Sequence, residues 1–136
     1  MSPFSVYLNK LRIRHDLRQT QMAELMGYEQ GYISALELGT KNPSNEEFLA
    51  KLVQIFEMTS QEQAELAIAV KESQLRYTLP RDVPPEAFRF CSQLWEKIDR
   101  LPQTQWQAML ALLSLEVPPK EGRLLSLKTK ETEAQM

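Results

Sequence analysis

The sequence predicts an all-α chain: five helices, then a proline-rich stretch, then a two-helix hairpin. Three observations carry that expectation. Apolar residues recur at three- and four-residue spacings along most of the chain, which stacks them on one helical face. No run of residues has the sustained apolar–polar alternation of a strand. Gly27, Gly39 and most of the prolines fall between the periodic stretches, where they end one helix and permit the next.

The elements follow in order. Ser2-Pro3 starts the first helix, a hydroxyl cap followed by a residue whose φ is already helical, and Phe4, Tyr7, Leu8 and Leu11 give it an apolar face as far as about His15. The second helix, about Gln19–Met26, groups Met22, Leu25 and Met26 and stops at Gly27. The third, about Gln30–Leu38, stops at Gly39, since glycine best tolerates the left-handed conformation after a helix. Ser44 with Glu47 forms a capping box for a fourth helix that turns Phe48, Leu49, Leu52, Val53 and Phe56 inward. Ser60 with Gln63 reads as a second box, opening a fifth helix with Leu66, Ala67, Val70 and Leu75 on its inner side. Tyr77–Pro85 holds three prolines and reads as a linker. Two further helices are expected, about Pro85–Arg100 and from Pro102 to the Pro118-Pro119 stop. Residues 1–78, 79–119 and 120–136 therefore read as a domain, a linker with a hairpin, and a solvated tail.

Composition excludes several classes. At 136 residues with 43% hydrophobic and 25% charged side chains, the chain can bury a core. The single cysteine, Cys91, permits no intrachain disulfide and fits a reducing, cytoplasmic setting. Neither a signal peptide nor an apolar run of membrane-spanning length is expected. No His/Cys/carboxylate cluster has metal-ligand spacing, no glycine-rich phosphate loop occurs, and the lone His15 has no evident catalytic partner. No enzymatic activity, metal or cofactor is expected. Net charge is −2, yet residues 1–45 carry five basic against four acidic side chains, while residues 46–78 carry three against six. Any positive field belongs to the N-terminal segment.

Gln19–Leu38 meets the steric demands of two helices crossing steeply at a tight turn. Ala23 is small where the axes approach, Gly27 sits at the turn, and Met22, Met26, Tyr28, Ile33 and Leu36 fall at inward positions. The run Leu17-Arg-Gln-Thr-Gln-Met-Ala-Glu-Leu-Met-Gly27, with Ile33-Ser-Ala-Leu-Glu-Leu-Gly39 and Pro43, resembles the phage-repressor (Cro-like, xenobiotic-response-element) helix-turn-helix family over about residues 4–72. The resemblance implies a five-helix repressor-type domain that binds double-stranded DNA. It implies that Gln19 anchors a phosphate, and that Gln30, Gly31, Tyr32, Ser34 and Ala35 face the major groove. Gln30 is the best base reader, since its amide can pair bidentately with adenine. Lys41 and Asn42 lie in the loop expected to meet the DNA backbone. Arg18 stands where the family has a small cap, and its charge suits a phosphate. Gly31 and Ala35 bring no hydrogen-bonding side chain, so DNA shape should share in the readout. Glu37 reads as a carboxylate paired inside the fold.

Phe88, Leu94, Trp95 and Ile98 make one apolar stripe of the hairpin, and Trp106, Met109, Leu110 and Leu113 another. A two-helix hairpin cannot cover both stripes by itself, so this segment is expected to dimerise, with folding back on the first domain as the alternative. The expected function is a dimeric transcriptional repressor reading a partly palindromic operator. The competing expectation is an antitoxin-like or adaptor protein whose helix-turn-helix mainly binds a protein partner.

Overall fold

The computed structural model describes residues 1–43 and 46–119, and every regular element among them is an α-helix. The chain divides into two compact units, Met1–Thr78 and Leu79–Met136. The first contains α1 (Pro3–Arg14), α2 (Gln19–Met26), α3 (Gln30–Leu38), α4 (Glu46–Ile55) and α5 (Ser60–Glu72). The second contains α6 (Pro85–Lys97) and α7 (Gln103–Leu113).

Local chemistry sets the helix ends. The Ser2 hydroxyl accepts from the Ser5 backbone N–H at 3.1 Å, ahead of Pro3 in the first turn of α1. Gly27 and Gly39 close α2 and α3 at φ 75° and 82°, in the left-handed region. A Cβ at Gly39 would also come within 3.2 Å of the Ser2 backbone nitrogen, a tighter contact than most side chains make. The box that opens α5 lies one residue earlier than the sequence suggests. The Thr59 hydroxyl accepts from the Glu62 N–H, and the Glu62 carboxylate accepts from the Thr59 N–H, each at 3.2 Å. Ser60 is already inside the helix. The expected box at Ser44 falls on residues outside the described ones, as does the expected tail at 120–136.

The core of the first unit comes from all five helices. Phe4, Leu8 and Leu11 of α1 meet Met22, Ala23 and Met26 of α2, Ile33 and Leu36 of α3, Phe48 and Leu52 of α4, and Leu66 of α5. Each fully buried large side chain contributes about 1.5–3 kcal/mol relative to exposure. Phe48 is the aromatic centre, with ring centroids 6.4 Å from Phe4, 5.3 Å from Tyr28 and 5.8 Å from Tyr32. Three expected core positions are corrected. Leu25 is exposed, because the inner face of α2 runs through Met22, Ala23 and Met26. Ala67 is exposed and Ala69 is buried in its place, because the inner face of α5 runs through Leu66, Ala69 and Val70 at helical spacing. Leu75 lies beyond the end of α5 and is exposed.

Ser73, 4% exposed, ties this unit together. Its hydroxyl donates to the Ala69 carbonyl at 2.6 Å and accepts the Phe4 N–H at 2.8 Å, while its carbonyl accepts from the Asn42 amide at 2.9 Å. The start of α1, the loop after α3 and the end of α5 thus converge on one residue.

The second unit differs in kind. No residue of α6 or α7 is buried. Both helices open directly after or at proline, with Pro84 and Pro102 as the N-caps. α6 stops at Lys97, short of the expected Arg100, with Ile98 as its C-cap.

Candidate nucleic-acid interface

The α2–turn–α3 pair is built on a buried ion pair. Glu37, near the end of α3 and 4% exposed, accepts from Arg12 Nε at 2.8 Å, from Arg12 Nη2 at 3.0 Å and from Asn9 Nδ2 at 2.7 Å. Arg12 also donates to the Leu17 carbonyl at 2.7 Å, so one guanidinium joins α1, the turn before α2, and α3. Burial works to raise the Glu37 pKa. The hydrogen bonds of Arg12 and Asn9, the Arg12 charge and the polar Gln19 side chain outweigh burial and hold the carboxyl below the usual glutamate range. Glu37 is paired inside the fold, as its sequence position implies; its partners on α1 lie more than twenty residues away and carry no local signal.

The outer end of this scaffold brings two glutamines together. Gln30, exposed in the first turn of α3, donates from Nε2 to Gln19 Oε1 at 2.8 Å, across from the first turn of α2. Gln19 keeps amide hydrogens and Gln30 keeps its carbonyl oxygen and a second N–H. A paired donor and acceptor on one amide is the pattern that matches the adenine edge in a major groove.

The remaining expected contacts separate by accessibility. Arg18, the N-cap of α2, and Lys41 are exposed. Gly31 is exposed, and a Cβ there would meet nothing within 4 Å, so no protein contact demands glycine. Ser34 and Ala35 are half-buried. Two residues turn out to be committed to the fold. Tyr32 is half-buried, its ring 5.2 Å from Tyr28 and stacked on it, which makes it a support for α3. Asn42 spends its amide on the Ser73 carbonyl and its Oδ1 is buried, so its side chain faces the protein and not a DNA backbone. Glu29, the N-cap of α3, is exposed with no side-chain capping bond.

Lys51 is a residue that sequence reasoning missed. Its ammonium donates to the Met26 carbonyl at 3.4 Å at the end of α2, and lies 4.8 Å from the Tyr28 ring centroid. A basic residue on α4 opposite a glycine-ended helix was the available signal.

In the second unit, Phe88, Trp95, Ile98, Leu110 and Leu113 are exposed, while Leu94, Trp106 and Met109 are half-buried. Leu94 and Met109 line a cavity of about 330 Å³ together with Phe90, Lys97, Leu101 and Ala108. The two sequence stripes are thus mixed: part of each faces the hairpin's own groove and part faces outward.

Among the described residues, no helix is long and apolar enough to cross a membrane, and no group of three metal-ligating side chains occurs. No curated protein and no solved structure matches the chain significantly. Residues 3–66 match the helix-turn-helix domain family. That span runs from the first residue of α1 into α5 and contains the glutamine pair and its Arg12–Glu37 support. Through this N-terminal segment, just under half of its length, the chain is similar to the helix-turn-helix domain family.

Proposed function

We propose that the protein is a sequence-specific, homodimeric transcriptional repressor of the cytoplasm, with α3 lying in the major groove of its operator. The observation that carries this reading is the Gln19–Gln30 pair at the exposed start of α3. Gln30 reads an adenine and Gln19 directs its spare N–H to the adjacent phosphate. Arg18 and Lys41 add backbone contacts, and the free N–H groups at the start of α2 favour a phosphate without any added charge. Gly31 and the short Ala35 leave room for close approach, so groove shape supplements the base contacts.

Phe88, Trp95, Ile98, Leu110 and Leu113 form the self-association surface. A two-fold dimer places two recognition helices on half-sites roughly 34–36 Å apart, and a partly palindromic operator follows. Occupation of such a site blocks promoter access. The reading of an adaptor that binds a protein partner draws support from the same exposed apolar side chains.

Selection of genomic DNA fragments with purified protein tests the proposal. The expected result is one enriched, partly palindromic motif, with Gln30→Ala losing discrimination at one base pair of each half-site. Affinity should fall with salt by a shallow slope, since each subunit neutralises only a few phosphates. Recovery of fragments without a shared motif overturns the DNA reading and leaves the adaptor.

A further inference from the structure

The groove of the second unit has a lining of definite chemistry. Its cavity of about 330 Å³ lies along α6 and α7. The half-buried part of the lining is apolar, made by Leu94, Leu101 and Met109. The exposed part carries the polar groups, Lys97 with the carboxamides of Gln93 and Gln105, and the lining has no acidic side chain. The other two basic residues between Pro85 and Leu113 are already matched, Arg89 with Glu86 at 3.4 Å and Arg100 with Asp99 at 3.6 Å. Lys97 has no ion-pair partner among the described residues.

We propose that this groove binds a small amphipathic carboxylate, a linear acyl chain of about eight to ten carbons. Charge, shape and size each select that class. An unpaired ammonium beside an apolar floor suits a ligand with one anionic head, and the amides of Gln93 and Gln105 can donate to the same head. α6 contributes Phe90, Gln93, Leu94 and Lys97, a row about 10 Å long with the ammonium at one end and the aromatic ring at the other. The volume equals about eleven water volumes, room for about ten to twelve carbon and oxygen atoms. An incoming helix, about 10 Å across, would fit only about 4 Å of its length into that space, less than one turn. The proposed self-association surface leaves the groove open, because Phe88 and Trp95 lie about 200° around α6 from Phe90 and Lys97. The site stands independently of the DNA-binding reading.

The test is calorimetric titration of the full chain, without DNA, with hexanoate, octanoate and decanoate below their micelle concentrations, and with octanol and octylamine as head-group controls. Saturable binding of octanoate, one per chain, is expected, with octanol weaker and octylamine silent. Each added methylene should tighten binding about two- to fourfold, ceasing once the chain exceeds the groove. Lys97→Met keeps an apolar stem and removes the charge. It should weaken octanoate about tenfold or more and leave octanol unchanged. Ala108→Phe fills the groove and should abolish binding of both while circular dichroism is unchanged. Silence from octanoate, or equal octanoate affinity in the wild type and Lys97→Met, overturns the proposal. Full binding by a folded Ala108→Phe overturns it as well, since the ligand then sits elsewhere. Silence from octanoate together with a dimer that Ala108→Phe dissociates in sedimentation assigns the groove to a second copy of the chain. If Ala108→Phe does not fold, the Lys97→Met comparison decides. None of these outcomes bears on operator selection, so the ligand site and the DNA-binding reading fail separately.

Discussion

The two units solve the burial of apolar surface in opposite ways. The first takes thirteen hydrophobic residues below the surface, among them Phe4, Leu8, Met22, Ile33, Leu36, Phe48 and Leu52 at essentially zero exposure. The second buries none among its described residues, and leaves Trp95 at 62%, Leu110 at 63% and Leu113 at 74% exposed. Both are helical and both are amphipathic, so periodicity alone does not distinguish them. What differs is the number of helices available to each apolar face. Five short helices surround a point; two helices enclose only a groove. A unit of the second kind leaves apolar surface that association would cover, which is the ground for the proposed dimer.

The same truncation in each unit gives the sharpest contrast. Phe48→Ala should cost about 3–5 kcal/mol in unfolding free energy, read from chemical denaturation, because a fully buried aromatic leaves a cavity. Trp95→Ala should leave the denaturation of the first unit unchanged and shift the monomer–dimer equilibrium measured by sedimentation. If Trp95→Ala unfolds the first unit, or leaves association unaltered, the contrast fails.

Arg12→Met should destabilise by a comparable amount, about 3–5 kcal/mol, since it strands the buried Glu37 charge. The linkage has a definite sign. The folded pKa of Glu37 is depressed, so its stabilisation is complete above the ordinary glutamate range and is lost as pH falls through the folded value. Melting temperatures of the wild type should therefore decline in acid, and Glu37→Gln should flatten part of that decline. An identical acid profile in both proteins would show that the pair carries no linkage.

Gly39→Ala should cost about 1–2 kcal/mol, combining a strained φ of 82° with the close approach to Ser2. The matching change in the other direction is Glu57→Gly. Glu57 sits at φ 47° between α4 and α5, and glycine there should raise stability by up to about 1 kcal/mol. Thermal melts of the two variants should move in opposite directions. Movement in the same direction would mean that backbone conformation does not control these turns.

Much of the first unit was legible in the sequence because its signals are local. α2 and α3 end at glycines, and their bounds match those read from Gln19–Met26 and Gln30–Leu38. Ser2-Pro3 announces α1 in the same way. The α5 cap was misread by one residue, since Thr59–Glu62 and Ser60–Gln63 fit the same chemical pattern and only the packing of Leu66 and Ala69 chooses between them. Within the candidate interface, Gln19 and Gln30 were readable as family positions. Their mutual hydrogen bond and the roles of Arg12, Tyr32 and Asn42 were not, because each depends on a partner on another helix or loop.

Ser73 has a mechanical consequence. Because its hydroxyl holds the Phe4 N–H, the beginning and the end of the first unit are fastened to each other at one point, immediately before the segment that leads to Pro84. A pull transmitted along that segment enters the unit at the fastening and is shared by α1, α5 and, through Asn42, the loop after α3. None of the hydrogen bonds of Ser73 involves α2, the turn at Gly27 or the first half of α3, where the two glutamines lie.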